Sequence, residues 1–308
     1  INTEIIYKTW FKLNSFLRNN IYLVGNYKLI SDQLIKLKKK VIIHEVKSIH
    51  DNIKSSKFKV INIPLKFKDP YKISKSESSK YVLKSLDLAH KLALDKKVKG
   101  IINCPINKKL IESSKKRGVT EFFASKCKIK DNSEVMLIYN KNLAVAPLTT
   151  HIRVKKISKF IDKKIIIKKL NTINIFFKKY IKKKPIIGVL GLNPHNSEFE
   201  KNSEELTEIL PAIKLLSKNG LNIKGPLVSD TAFINTYKKF NVIVGMYHDQ
   251  VLTPMKTLFE YDAINITLGL PFTRISPDHG PNEKMIGKNI SNPLSLIRAI
   301  EFLDKKID

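Results

Sequence analysis

Short apolar runs alternate with lysine-rich amphipathic segments from one end of this chain to the other, and that alternation limits the folds open to it. A short apolar run suits a strand buried on both faces, and a longer amphipathic segment suits a helix laid across it. Together they indicate βα units on a mostly parallel sheet. Candidate strands are Ile21–Val24, Val41–Ile43, Lys59–Ile63, Gly100–Asn103, Val135–Tyr139, Leu143–Pro147, Ile186–Leu190, Val242–Met246 and Ala263–Leu268. Candidate helices are Thr3–Leu17, Ser76–Leu94, Ile157–Lys183, Ser203–Asn219 and Ser291–Lys305, the last opening on a cap followed by proline. With 308 residues and no tandem repeats, the chain is expected to form two interleaved lobes.

Three histidines follow three of these apolar runs. Leu143–Ala146 leads through Thr149-Thr150 to His151, Ile186–Leu190 leads through Asn193-Pro194 to His195, and Val242–Met246 leads to His248. Ligand crevices of open α/β sheets lie outside the carboxyl ends of the parallel strands, so imidazoles distant in sequence can converge there. Such a set suits Zn²⁺ or a similar divalent ion and leaves a coordination position open. Asn193, Asp249 and Gln250 stand nearby in sequence as hydrogen-bond partners able to fix the rings. His44, His50 and His90 lack this context and are expected at the surface or in packing; His279, in Asp278-His279-Gly280, is left open.

The net charge of +30 raises the possibility of nucleic-acid binding. However, arginine occurs only at positions 18, 117, 153, 274 and 298, lysine is spread through nearly every segment, and no nucleic-acid-binding motif accompanies it. The charge reads as a solvated surface able to draw in small anions. Two cysteines, Cys104 and Cys127, offer neither a disulfide framework nor zinc spacing, and no segment is apolar enough to span a membrane. With no signal-peptide pattern at Ile1-Asn2-Thr3-Glu4, a cytoplasmic location is expected.

After His248 comes the densest polar constellation: Asp249, Gln250, Lys256, Asn265, Thr267, Arg274, Asp278 and His279. Arg274 follows the turn Gly269-Leu270-Pro271, where a guanidinium suits bidentate capture of carboxylate or phosphate. Gly225–Thr231 reads as a turn followed by a helix start, with Asp230 either a cap or a group assisting proton transfer from an alcohol. Thr120 and Glu121 stand at another helix start. Neither GxGxxG nor GxxxxGK[ST] occurs, which disfavours a Rossmann dinucleotide site and a P-loop.

Taken in order, Thr149-Thr150-His151, Gly191-Leu192-Asn193-Pro194-His195, Gly225-Pro226-Leu227 with Asp230-Thr231, Met246–Gln250, Asn265–Pro271 ending in Arg274, and Asp278-His279-Gly280 resemble the 4-hydroxythreonine-4-phosphate dehydrogenases of pyridoxine phosphate synthesis. The resemblance runs from about Asn103 to the end. It implies an α/β fold related to isocitrate and isopropylmalate dehydrogenases, with two α/β/α lobes around a central cleft. The lobes are expected at 1–118 with 265–308, and at 119–264. The resemblance further implies a homodimer with its active site at the subunit interface, a divalent ion (Zn, Mg or Co) on His151, His195 and His248, and NAD or NADP bound without a Rossmann glycine loop. Thr120, Lys256, Asn265 and Arg274 would contact the phosphorylated substrate, and Asp230 and Lys256 would serve catalysis. The partners expected are therefore that substrate and a second copy of the chain, without a membrane.

The chain departs from the family pattern at Val119, where members usually carry a substrate-touching histidine, and at Asn196–Asn202, which replaces a glycine-rich stretch. The family's opening strand and its Gly-Asp/Glu-Pro turn are not in the chain, which begins within the segment just after them. The expected reaction is oxidation and decarboxylation of 4-hydroxythreonine 4-phosphate to 3-amino-2-oxopropyl phosphate. Alternatives are a dehydrogenase for threonate or erythronate 4-phosphate, or a basic nucleic-acid-binding protein.

Overall fold

The structure is a computed structural model that describes residues 1–49, 51, 57–112, 118–129 and 133–305, so His50 lies outside the described residues. The chain divides into two compact units, Ile1–Phe123 with Pro271–Asp308, and Ala124–Leu270. The first opens with α1 (Asn2–Trp10), α2 (Ser15–Asn19), β1 (Leu23–Gly25), α3 (Tyr27–Lys36), β2 (Ile42–Val46), β3 (Lys57–Asn62), α4 (Lys75–Leu94), β4 (Gly100–Ile102) and α5 (Val119–Lys126). The second holds β5 (Val135–Tyr139), β6 (Ala144–Thr149), α6 (Lys163–Phe176), β7 (Ile187–Leu190), α7 (Leu210–Lys218), β8 (Ile223–Leu227), β9 (Val242–Tyr247), α8 (His248–Phe259) and β10 (Ile264–Leu268). The chain then returns to the first unit through β11 (Thr273–Pro277) and α9 (Leu294–Lys305).

Every expected strand is present with shifted ends, and β5 matches to the residue. Of the long expected helices, Ser76–Leu94 is present unbroken as α4, whereas Thr3–Leu17 and Ile157–Lys183 are interrupted. Thr3–Leu17 breaks because the Asn14 side chain accepts from Leu17 N at 2.8 Å and starts α2 afresh. After a short 3-10 turn at Ser158–Phe160, Ile157–Lys183 becomes α-helical only at Lys163, where Asp162 accepts from the amides of Lys164 and Ile165. β8 and β11, and helices α3 and α8, are additional to the sequence reading.

Gly225–Thr231 departs from its expected turn and helix start. Gly225-Pro226-Leu227 ends strand β8, and residues 229–233 form turns rather than a helix. The glycine is there because β7 runs so close: a Cβ on Gly225 would stand 2.4 Å from the Val189 carbonyl oxygen.

In the first unit β1, β3 and β2 form a parallel sheet in that order, and β4 pairs parallel with β11, Arg274 lying opposite Ile101. Trp10, Ile30, Leu34, Phe58 and Val60 form one buried cluster, and Ile5, Leu13, Leu296 and Ile300 another. Within the second unit the strand order is β10-β5-β6-β9-β7-β8. β5 is antiparallel to both neighbours, while β6, β9, β7 and β8 are mutually parallel. Val145, Leu190, Ile243, Val251 and Met255 anchor this unit's core, each contributing roughly 1.5–3 kcal/mol through burial. Because those four strands run parallel, their carboxyl ends share one edge, and their order there is set by topology rather than by sequence.

Candidate active site

Along that edge stand four of the residues singled out from sequence. His151 follows β6 by two residues, His248 follows β9 directly as the first residue of α8, His195 follows β7 after a short turn, and Asp230 follows β8. The rings of His151 and His248 lie 5.9 Å apart between centroids, tilted by 39°. Two imidazoles ligating one ion with bonds of about 2.1 Å have centroids some 5–6 Å apart, so this pair fits a shared divalent cation. His248 Nδ1 lies 2.6 Å from Asp249 Oδ1. With the proton on Nδ1, that contact orients the ring and leaves the Nε2 lone pair available. Among the described residues, no three His, Cys, Asp or Glu side chains come together as one ligand group within the chain.

His195 sits in an unusual backbone. His195, Asn196, Ser197, Glu198 and Phe199 all have φ between 45° and 58°, a left-handed turn built from non-glycine residues. Such backbone costs roughly 1–2 kcal/mol per residue and persists only where surrounding contacts hold it. Asn196 is buried beneath this turn and donates to the Pro226 carbonyl at 3.2 Å. A Cβ on Gly191 would stand 2.0 Å from Asn196 Oδ1, so a larger residue there would displace the buried Asn196 side chain.

The first unit assembles a different constellation. Arg274, on β11, is 3 % exposed; its Nε donates to Asn103 Oδ1 at 2.7 Å and its Nη1 to Thr120 Oγ1 at 3.4 Å. Burial pushes the guanidinium down to about 10, while the nearby Glu121 carboxylate pushes it back up. It therefore remains a cation at neutral pH. Asn103 lies just past β4 and Thr120 in the first turn of α5, so a strand end and a helix start present the guanidinium together. Val119 begins α5 beside Thr120. Asn103 was not among the expected site residues, although its place directly after the apolar run Gly100–Ile102 is the signal the histidines also carry.

Lys256 lies on α8 and Asn265 on β10, with the Asn265 Oδ1 buried and without a hydrogen-bond partner among the described residues. Thr267 is buried on β10. His44 is exposed on β2, and the His90 ring packs against Phe123 and Phe272 with centroids 6.0 and 5.6 Å apart. His279 Nδ1 lies 3.3 Å from the Gly280 carbonyl oxygen. Among the described residues no helix is long and apolar enough to cross a membrane.

Comparison with known proteins gives this geometry a family. The family model described as pyridoxal phosphate biosynthetic protein PdxA matches residues 17–303. A 4-hydroxythreonine-4-phosphate dehydrogenase from a Sulfurihydrogenibium species is 41% identical over 306 residues, covering 98% of this chain and 93% of its own. A relative from Oceanobacillus iheyensis, provisionally named a D-threonate 4-phosphate dehydrogenase, is 34% identical over 220 residues, covering 70% of this chain and 66% of its own. The crystal structure of the Klebsiella pneumoniae 4-hydroxythreonine-4-phosphate dehydrogenase superposes with a TM-score of 0.85 at 26% identity, covering 98% of this chain and 93% of that one. The chain is thus of the mixed α/β class and belongs to the PdxA family of pyridoxal phosphate biosynthetic proteins.

Proposed function

We propose that this chain is an NAD(P)-linked dehydrogenase that oxidises and decarboxylates 4-hydroxythreonine 4-phosphate to 3-amino-2-oxopropyl phosphate. The observation carrying this reading is the edge at which His151, His248, His195 and Asp230 end four adjacent parallel strands, in a chain 41% identical to a relative bearing that enzyme's name. His151, His195 and His248 would hold a divalent ion (Zn, Mg or Co). The pair already fits, and a second copy of the chain in a homodimer would complete the set at the subunit interface. When bound, the ion supplies Lewis acidity toward the substrate's hydroxyl and the later keto group, and the nicotinamide takes up hydride.

The chain's own residues do the rest. Asp230, exposed on the turn after β8, is the group to take the proton leaving the substrate hydroxyl. Arg274, held by Asn103 and Thr120, presents a fixed cation to the phosphate or carboxylate, so its entropy of orientation is lost on folding rather than on binding. In the second unit, Lys256 on α8 would lend a positive charge to a substrate anion, and Asn265 on β10 would accept from a substrate donor. In the overall balance a hydride would pass to a bound nicotinamide and the hydroxyl proton to Asp230, and loss of carbon dioxide would be matched by uptake of one proton. A cytoplasmic location agrees with a soluble substrate and free thiols.

A second reading keeps the chemistry and changes the acid to threonate or erythronate 4-phosphate. The Oceanobacillus relative's name supports it, and so does Val119, which removes a polar contact beside Thr120. Parallel assays of NADH formation with each phosphorylated acid decide between the two. The proposal expects the highest kcat/KM with 4-hydroxythreonine 4-phosphate; a higher value with threonate 4-phosphate would replace it by the second reading, and no NADH with any of them would overturn both.

A further inference from the structure

The histidine-bearing strand ends are tied together by two side chains, Gln250 and Glu205, whose bonds reach the backbone of the loops rather than the rings. Gln250, on α8, accepts from the Met246 amide at 2.6 Å and donates to the Gly191 carbonyl and to Ser229 Oγ, each at 2.7 Å. One amide group thereby clips the end of β9 just before His248, the end of β7 before His195, and the turn that carries Asp230. Gly245 makes the room, since a Cβ there would stand 2.8 Å from the Gln250 oxygen. Glu205, wholly buried, accepts from the Leu192 and Asn193 amides at 2.7 Å each and from the Asn193 side chain at 3.0 Å. Glu204 accepts from the same Asn193 side chain at 2.9 Å.

A buried carboxylate is costly unless its lone pairs are filled, and Glu205 fills them from the turn that leads into the left-handed segment His195–Phe199. Backbone held against its own preference requires anchors on its approach, and these contacts are such anchors. We propose that Glu205 and Gln250 are positioning residues, which fix the loops carrying His195, Asp230 and His248 in the one arrangement that supports turnover. The inference rests on the dehydrogenase reading above.

The test compares Q250M, which keeps volume but removes three hydrogen bonds, and E205Q, which turns a donor toward the Asn193 amide, with a control, K169M. Lys169 is also buried in the same unit and donates to the Glu134 carbonyl at 2.7 Å, away from these loops. In Q250M, kcat and Co²⁺ affinity are expected to fall about 10- to 100-fold with substrate KM little changed, as for lost partners of metal ligands. Amide hydrogen exchange across 191–199 and 228–231 should quicken in Q250M. E205Q should show the same pattern more weakly, and K169M should lower only the melting temperature. Wild-type kcat, Co²⁺ affinity and exchange in Q250M, or equal losses in K169M, would overturn the proposal. Should the wild type turn over without taking up Co²⁺, the metal reading fails while kcat and exchange still judge the positioning role. Should it not turn over at all, the dehydrogenase reading fails and exchange across these loops decides.

Discussion

The Arg274 corner of the first unit and the histidine edge of the second handle charge in opposite ways. The guanidinium is buried, bonded by Asn103 and Thr120 and faced by Glu121, so its environment is complete within one chain. The histidines are exposed or half-exposed, two rings are close, and among the described residues no third side chain completes a ligand group with them. The difference teaches that a permanent cation must be desolvated and paired during folding, whereas side chains at an exposed edge can stay in water until a ligand organises them. Scaffold and function are therefore separable at one site and fused at the other.

The largest effect expected is at the open edge. H248A should reduce turnover to background and abolish divalent-metal uptake, while the melting temperature of the metal-free protein barely moves; a large loss of stability would break the contrast. At the closed corner both quantities should fall together. R274M leaves Glu121 facing an apolar side chain, and a broken buried charge pair costs about 2–5 kcal/mol. Its kcat/KM should drop roughly 10²- to 10³-fold, read by steady-state kinetics beside a denaturant curve. R274K should recover little, since an ammonium cannot reproduce the planar fork.

How much of this was legible in the sequence follows from where each signal resides. Strands such as β5, β7 and β9 announce themselves as unbroken apolar runs because both of their faces are covered. β8 hides because Lys224, Gly225 and Pro226 interrupt its run. β11 hides because Thr273, Arg274 and Ser276 are buried polar residues that hydropathy assigns to the surface. α8 is masked in the sequence by Pro254, which lies inside it. The strand-end placing of the histidines could be read from spacing. The grip of Asn103 on Arg274, and of Glu205 and Gln250 on the loops, could not, because those bonds join residues that only the fold makes neighbours.

Smaller effects sharpen the contrast further. Core truncation at Ile243, on β9, is expected to cost about 2–5 kcal/mol in I243A, measured by urea unfolding. Its metal affinity per folded molecule should stay close to wild type, because the edge lies beyond the core. Glu4 is a quieter case of charge completed within the chain. Burial pushes its carboxyl up, but bonds from Lys8 at 2.8 Å and the Ser291 amide at 2.7 Å outweigh that and hold it below the usual value. A depressed carboxyl stabilises the fold at pH above its unfolded value near 4.5 and loses that contribution as pH falls through the lower folded value. E4Q should therefore be less stable than wild type at neutral pH and converge with it in acid, as followed by thermal melts across pH. A constant gap at every pH would contradict the assignment.

The most direct measurement is the rate of NADH formation from 4-hydroxythreonine 4-phosphate and NAD⁺ by enzyme stripped with a chelator and then resupplied with Co²⁺ or Zn²⁺. The account predicts that stripping abolishes the rate and that either ion restores it in the wild type but not in H248A. A stripped enzyme that works at its full rate, or an H248A variant that does, would contradict a reaction centred on these histidines.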